Sequence, residues 1–497
     1  MKTNIVKQRG QVFTPIFIVE LMLDFCEYQN DKILRKHIID NSCGDGAFLC
    51  VIVKRYAEIF LKKSQDKSLL KKELESFIHG IEIEQDAYKN CLLNLDAIAS
   101  TFGLANVNWD VRFSDALENN DFNEKMDFVV GNPPYVRVHN LENNYCSVKR
   151  FSFANGGMTD LFLAFYELGF RMMKKNSGKL CYITPNSWFN SLAATNMRTY
   201  IQSKQTLVGL IDFGHQQLFD GVTSYVAVSF FDNTVQSEKF SFYSYDATKN
   251  APLFVDYLSF REISIDGYFY LGRRKDLTLL KNIKKNIYRQ FVSVKNGYAT
   301  LADNIFISKD LPFSEHTIPV LKGSTGKWSR AFFPYDNKGK PLPKKVLFSN
   351  IQIAAYMNQH KEVLLKGKTE ADFPEWYLYG RNQALKDTFC DKIGINSLVK
   401  DISSIKLQKV PTGSGLYSGL YIQTNVDFEH IEKVVKNEDF INYLKVLKKY
   451  KSGGYYTYNS KDLEQYLNYK LSIDEFIHQQ YRQIGQPTLS FGYPQFV

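Results

Sequence analysis

Residues 128–135 read FVVGNPPY. Three apolar residues with strand preference run into a glycine, then an amide, two prolines and an aromatic ring. A short, continuously apolar run bounded by turn residues is the mark of a strand buried on both faces, and such strands belong to parallel sheets covered by helices. The same texture repeats on either side. HIID (37–40), FIHGIEI (77–83), VNWDVRF (107–113), MDFVVG (126–131), KLCYIT (179–184), LVGLIDF (207–213) and YVAVSFF (225–231) read as strands, with helical patterns between most of them. In TDLFLAFYELGFRMM (159–173), Leu161, Phe165 and Leu168 follow the spacing of a core-facing stripe, with Thr159 or Asp160 as the N-cap. This alternation predicts an α/β fold: a doubly wound, mostly parallel, seven-stranded sheet with helices on both faces. The last two strands lack a long helix between them, which fits an antiparallel hairpin at one edge.

After about residue 250 the texture changes. KGSTGKWSRAFFPY (322–335) and SGGYYTYNSKDLEQY (452–466) are dense in aromatics, glycine and lysine, and the alternation is lost. The boundary falls between 250 and 285, which divides the chain into residues 1–260 and a mixed α+β domain over 261–497. Charge follows the same division. Residues 271–497 hold 34 Lys and Arg against 21 Asp and Glu, a net of +13, which leaves −3 for the rest of a chain whose total is +10. A basic half beside a near-neutral half suits contact with a polyanion.

The remaining bulk properties exclude classes. Apolar content of 44% and charged content of 23% are ordinary for a soluble globular protein. No run of 18 apolar residues occurs, so no membrane span is expected. The polar start MKTNIVKQRGQ is unlike a signal peptide. Seven dispersed cysteines without a C-x-x-C pair point to a reducing compartment and to neither a zinc site nor a disulfide framework, and no metal is expected.

Four short motifs fall at strand ends, where a doubly wound sheet binds ligands. In Asp40-Asn-Ser-Cys-Gly-Asp-Gly-Ala-Phe48 a strand passes through a glycine loop into a helix, and Gly44 and Gly46 let backbone approach a ligand. The loop lacks both the third glycine of a dinucleotide fingerprint and the Lys-Ser/Thr of a phosphate loop. Glu82, or Glu84 two residues on, can accept both hydroxyls of a ribose, and Asp115 can accept from an adenine amino group. Asn132 then follows the fourth strand. Pro133 and Pro134 stiffen the turn and donate no N–H. The Asn132 side-chain oxygen and the Pro133 carbonyl can accept both hydrogens of one exocyclic amine, drawing its nitrogen toward tetrahedral geometry. Tyr135 offers a flat face for a base. An amine so held can attack a sulfonium methyl in line.

The ordered set GQVFTP (10–15), DNSCGDGAF (40–48), GIEIE (80–84), SDA (114–116) and GNPPY (131–135), followed by a basic C-terminal region, resembles the gamma-class N6-adenine DNA methyltransferases of restriction–modification systems, the TaqI-like group. The resemblance covers about residues 8–232; GYATLADNIFI (297–307), WYLYGR (376–381) and GLYSGLYI (415–422) are weaker family-like pieces. It implies S-adenosyl-L-methionine as cofactor, double-stranded DNA as partner, a C-terminal target-recognition domain, a cytoplasmic location near the nucleoid, and either a cognate restriction endonuclease or solitary action. It also implies roles. Thr14 contacts the methionine end of the cofactor; Asp40, Ser42, Gly44 and Gly46 line that pocket. Glu82 takes the ribose and Asp115 the cofactor adenine. Asn132, bordering the cofactor as well, joins Pro133 and Tyr135 in holding the target base. Phe219, with Tyr225 as the alternative, supplies a second ring for a base turned out of the duplex. Asn41 stands where the family has proline, and Glu84 where aspartate is common.

Other readings compete. N4-cytosine methylation uses the same amine logic, although GQVFTP ahead of the cofactor loop favours adenine. Enzymes that methylate protein glutamine or RNA guanine also carry NPPY, but need no basic domain of this size. A catalytically inactive DNA-binding subunit would show eroded motifs. A fused nuclease would need an upstream region or a P-D…E-x-K set, and neither is evident. Arg137 and His139 are lesser candidates for phosphate contact. Tyr298, Trp328, Tyr377 and Arg381 are candidates for base contact, with core packing as the default for most of them.

Overall fold

The computed structural model describes residues 14–138, 145–156, 159–216, 218–219 and 225–484. Contacts divide the chain into two compact units, Met1–Leu277 and Thr278–Val497. His139 and residues 10–13 of the GQVFTP stretch lie outside the described residues. Among the described residues, no helix is long and apolar enough to cross a membrane.

In the first unit all seven expected strands form: β1 (Ile38–Asp40), β2 (Ile78–Glu82), β3 (Asp110–Phe113), β4 (Phe128–Gly131), β5 (Lys179–Pro185), β6 (Leu207–Asp212) and β7 (Val226–Asp232). Two more follow, β8 (Lys239–Asp246) and β9 (Ala251–Ser259). The order across the sheet is β3-β2-β1-β4-β5-β7-β6-β8-β9. The pairs β3/β2, β2/β1, β1/β4 and β4/β5 are parallel, while β7 lies antiparallel to both β5 and β6.

The sheet therefore has nine strands and not seven. The β6–β7 hairpin is interior, because β8 pairs parallel with β6 and β9 antiparallel with β8. Buried Phe240 and Phe242 alternate with Lys239 and Ser241, a half-buried strand pattern that lies just beyond the last expected strand. The first unit also runs past residue 260. Buried Arg198 donates from Nε to the Gly267 carbonyl at 2.8 Å, and Phe269 meets Trp188 with ring centroids 6.2 Å apart.

Side-chain parity shows the double winding. Ile38, Phe128, Val130, Cys181 and Ile183 join one core with α1 (Ile16–Phe25), α2 (Ala47–Leu61) and residues from α3 (Lys67–Phe77) and α4 (Gln85–Thr101). Leu180 and Tyr182, of opposite parity on β5, point to the other face. There they meet α6 (Leu161–Met172), a helix separated from β4 by the short α5 (Tyr145–Lys149). Nine of the twelve α6 residues are buried, so the helix is enclosed well beyond a single stripe. Its N-cap is Asp160, whose side chain makes no capping hydrogen bond. A further helix, α7 (Thr195–Lys204), carries Arg198.

The second unit holds two four-stranded sheets. One comprises β10 (Val292–Asn296), β14 (Lys392–Ile395), β15 (Leu407–Val410) and β17 (Leu420–Thr424), in the order β10-β17-β14-β15. The other comprises β11 (Ile307–Ser308), β12 (Thr317–Lys322), β13 (Lys327–Phe332) and β16 (Gly415–Tyr417), in the order β11-β13-β12-β16. Most of the aromatics that make this region distinctive are core. Phe306, Phe332, Phe333, Tyr335, Trp376 and Tyr379 pack together, and Tyr298 and Tyr377 join them. Trp328 and Arg381 are exposed.

Gly169 allows α6 to approach β5, since a Cβ there would lie 2.5 Å from Leu180 Cδ1 and 2.7 Å from Tyr182 Oη. Gly169→Leu is expected to overpack this contact and lower stability by about 1–3 kcal/mol. Urea unfolding monitored by circular dichroism measures the loss; an unchanged midpoint would refute the close approach.

Candidate functional site

The strand order reverses between β1 and β4, and in an open α/β sheet the crevice at such a point, at the carboxyl ends, takes the ligand. Asp40 ends β1, and Asn132 follows Gly131 at the end of β4. A side chain at position 131 would be obstructed: its Cβ would lie 2.6 Å from Asp40 Oδ1. Glycine thus lets the carboxyl group of one strand rest against the backbone of its neighbour.

A cavity of about 450 Å³ opens at this point, within the range of small-molecule sites. Thr14, Asp40, Ser42, Gly44, Glu82, Asp115 and Asn132 all line it. The sheet brings these seven together although they span more than a hundred residues of chain. Three of the carboxyl groups are held by backbone N–H groups. Asp40 Oδ1 accepts from Ser42 N at 3.1 Å. Glu82 accepts twice, from Gly44 N and Glu84 N, each at 2.8 Å. Asp115 caps a short helical turn by accepting from Leu117 N at 2.9 Å. Each carboxylate oxygen has a second lone pair, so these bonds orient the acids and leave acceptor capacity for a ligand. Gly44 reaches this arrangement with φ +57°, in the left-handed region that favours glycine.

Two hydroxyl oxygens in the wall, Ser42 Oγ and Ser114 Oγ, are buried without a hydrogen-bond partner among the described residues. Such atoms suit a polar ligand, because burying them unsatisfied is costly. Burial raises the pKa of Glu82. Asp40, buried and facing Glu82, is pushed up to about 7, chiefly by loss of solvent. Asn132 donates from Nδ2 to Thr14 Oγ1 at 3.0 Å, which orients its amide in the wall.

Other expected residues stand elsewhere. Gly46 is not in the cavity wall. It caps α2 with φ +90°, and a Cβ there would lie 2.9 Å from Cys91 Sγ, so it serves the approach of α2 to α4. Pro133 is buried behind the wall, while Pro134 lines it. Tyr135 and Phe219 meet each other, with centroids 6.2 Å apart and planes inclined by 66°, and neither lines the cavity. Tyr135 Oη donates to the Ile183 carbonyl at 3.4 Å. Phe219 is 5% exposed and belongs to the core. Tyr225 is half-buried, and its carbonyl accepts from Asn186 N at 2.8 Å.

The sequence reading missed part of the wall. Leu161 and Phe165, taken for ordinary core positions, form an apolar side of the cavity, as do Val136 and Val148. Ile83 also lines it and is 51% exposed. An aliphatic residue set between two acids at a strand end was the available signal.

Comparison with known proteins accords with this geometry. Residues 32–219 match the family model of the Eco57I restriction-modification methylase. Those residues form a restriction–modification methylase domain. The Type II methyltransferase M.BstVI of Geobacillus stearothermophilus is 27% identical over 234 residues, covering 45% of this chain and 42% of its own length. The Type II restriction enzyme and methyltransferase RM.Eco57I of Escherichia coli is 23% identical over 530 residues, covering 84% of this chain and 52% of its own length. The chain thus spans about half or less of these two relatives. Among solved structures, the Type IIL restriction-modification enzyme MmeI in complex with DNA superposes with a TM-score of 0.55 at 14% identity, over 93% of this chain and 72% of that one, which is a likeness of fold.

The raised pKa of Asp40 in the methylase domain has a defined sign. Between the ordinary carboxylate range and about 7 the folded site holds a proton that the unfolded chain has lost, so stability falls as pH rises across that window. Asp40→Asn removes the ionisation. The variant is expected to melt higher than wild type at pH 8, with the difference shrinking toward pH 5. Scanning fluorimetry at the two pH values checks this; a difference independent of pH would count against it.

Proposed function

We propose that this protein transfers a methyl group from S-adenosyl-L-methionine to the N6 amine of adenine at a specific sequence in double-stranded DNA, with the base turned out of the helix. The observation that carries the reading is Asn132. Tied to Thr14, it stands in the wall of the cavity that Asp40, Glu82 and Asp115 also line. A group suited to holding an amine thus borders a pocket suited to a charged nucleoside.

The residues present fit S-adenosyl-L-methionine. The cavity volume, the orphaned hydroxyl oxygens of Ser42 and Ser114, and carboxylates positioned by backbone amides match a ligand with an ammonium group, a ribose and an adenine. Asp40 would hold the ammonium, Glu82 the ribose hydroxyls and Asp115 the adenine amine, with Ile83 against an apolar face. When bound, the cofactor supplies an electrophilic methyl on a positively charged sulfur.

The chain's own part is to prepare the nucleophile. An adenine amine is weak because its lone pair is delocalised into the ring. The Asn132 amide oxygen and the Pro133 carbonyl accept its two hydrogens and favour a tetrahedral nitrogen, whose lone pair then points at the donor. After transfer the nitrogen loses one proton and no strong base is required. Tyr135 stacks on the base, and Phe219 closes the opposite side. Two rings enclosing a base need to be roughly 7 Å apart and parallel, twice the usual contact distance. The inclined pair at 6.2 Å therefore turns and opens when a base enters. The second unit, in the part of the chain with a net charge of +13, contributes phosphate affinity and selects the sequence.

Asn132→Ala is expected to lower methyl transfer by at least a hundredfold, on the scale of losing an electrostatic catalytic contact, while cofactor binding by calorimetry changes little. DNA from a methylation-free host expressing the protein, read by single-molecule sequencing, identifies the base and its context. Full transfer by the variant would refute the amine-holding role. N4-methylcytosine in place of N6-methyladenine would redirect the substrate assignment, and unmodified DNA would overturn the function.

A further inference from the structure

Within the second unit, one surface combines charge, hydroxyl groups and rigidity in a way the core does not explain. The β12–β13 hairpin ends in Gly323-Ser-Thr-Gly326, and this turn rests against the start of β15 and the turn between β16 and β17. Gln408 Nε2 donates to the Gly326 carbonyl at 3.0 Å, and Lys406 Nζ to the Thr325 carbonyl at 3.4 Å. Ser418 Oγ donates to Ser324 Oγ at 3.1 Å. Gly323 N donates to the Tyr417 carbonyl at 2.8 Å. A Cβ on Gly323 would lie 2.8 Å from Gly419 Cα, so the two glycine turns meet backbone to backbone. Beneath them Leu321, Val410, Leu416 and Tyr421 form a small core of their own. The result is a braced ridge that carries exposed Ser324, Thr325 and Ser418, with Lys327, Trp328 and Lys406 exposed and Lys322 half-buried.

Two electrostatic observations say what the ridge meets. First, Lys322 and Lys327 are direct cross-strand partners. Like charges directly opposite each other destabilise a hairpin. Among the described residues no carboxylate pairs with Lys322, Lys327 or Lys406, although ion pairs are frequent elsewhere in the unit. Second, residues 316–335 and 402–426, which build the ridge, contain no Asp or Glu. At the chain's average of 52 acids in 497 residues, stretches of that combined length would hold about five. The fold thus gathers two acid-free segments and sets two lysines directly opposite each other in register, an arrangement relieved by a dense anionic partner. Hydroxyls and an exposed indole on rigid turns supply hydrogen bonds and a stacking face at base edges.

We infer that the ridge formed by residues 322–328, 406–408 and 418 is the surface of the second unit that grips DNA phosphates and reads bases. This rests on the DNA reading above. Lys322, Lys327 and Lys406 bind phosphates; Ser324, Thr325 and Trp328 meet bases.

Three proteins test it: wild type, Lys322→Ala/Lys327→Ala, and Ser324→Ala/Thr325→Ala. Lys338→Ala/Lys340→Ala, with the same loss of charge away from the ridge, is the control. Circular dichroism first establishes that each is folded. Binding to a fluorescent duplex bearing the methylated motif, measured across salt concentrations, gives the slope of log affinity against log salt. The ridge lysine pair is expected to reduce its magnitude by about two, since each phosphate contact contributes about 0.9. The control pair is expected to change it by less than one. Methylome sequencing is expected to show the hydroxyl pair relaxing the motif at one or two base pairs, by on the order of tenfold in discrimination. An unchanged slope in the ridge lysine variant, an equal change in the control, or an unaltered motif in the hydroxyl variant would each overturn the inference while wild-type methylation continues. If wild type methylates no DNA, the functional reading fails first and takes this one with it.

Discussion

Where β1 and β4 lie side by side, the carboxyl group of Asp40 occupies the space that a side chain at position 131 would need, its oxygen 2.6 Å from where that Cβ would stand. The rest of the methylase domain's cavity depends on this close approach. It buries Asp40, which raises its proton affinity. It sets the end of β4 so that the next residue, Asn132, enters the same wall as the glycine loop after β1. A bulkier residue at 131 would push Asn132 away from the pocket. The two strand ends that line the cavity are thus joined by an absent side chain.

The cavity's acids share one local device. Asp40, Glu82 and Asp115 end or follow three adjacent strands, and each accepts a hydrogen bond from the backbone N–H two residues on: Ser42, Glu84 and Leu117. This is the familiar short-range bond of an acidic side chain to its own turn. Here it is repeated at neighbouring strand ends, so that carboxylates facing one cavity are oriented without a cationic hydrogen-bond donor among the described residues. The arrangement leaves the positive charge to the ligand.

Much of this was legible in the sequence because it depends on local rules. Buried parallel strands are continuous apolar runs, glycine marks the loop, and an acid at a strand end faces the crevice. Those rules located seven strands and five of the cavity residues, Asp40, Gly44, Glu82, Asp115 and Asn132, while Thr14 and Ser42 came from the family resemblance. What stayed hidden depends on long-range packing. β8 and β9 follow the last expected strand within residues 1–260, and only the pairing of β8 with β6 and of β9 with β8 shows that they extend the first sheet. Leu161 and Phe165 obey core periodicity, yet the core they face is the cavity itself. Gly46 has the spacing of a ligand-binding glycine, but its conformation serves the contact of α2 with Cys91. Tyr135 and Phe219 stand 84 residues apart in the chain and meet as a pair only through the β4–β5–β7 arrangement.

The second unit inverts the usual relation between composition and role. Its aromatic density suggests base stacking, but most of those rings form the core: Tyr298, Trp376, Tyr377 and Tyr379 are all nine-tenths buried or more. The informative signal is an absence, two stretches without a carboxylate that converge on one rigid turn. A core tolerates any apolar filling of the right volume, so its residues say little about a partner. Lysines held directly opposite each other across a hairpin are different, because like charges in register weaken the pairing. That cost points to the ridge and not to the buried rings.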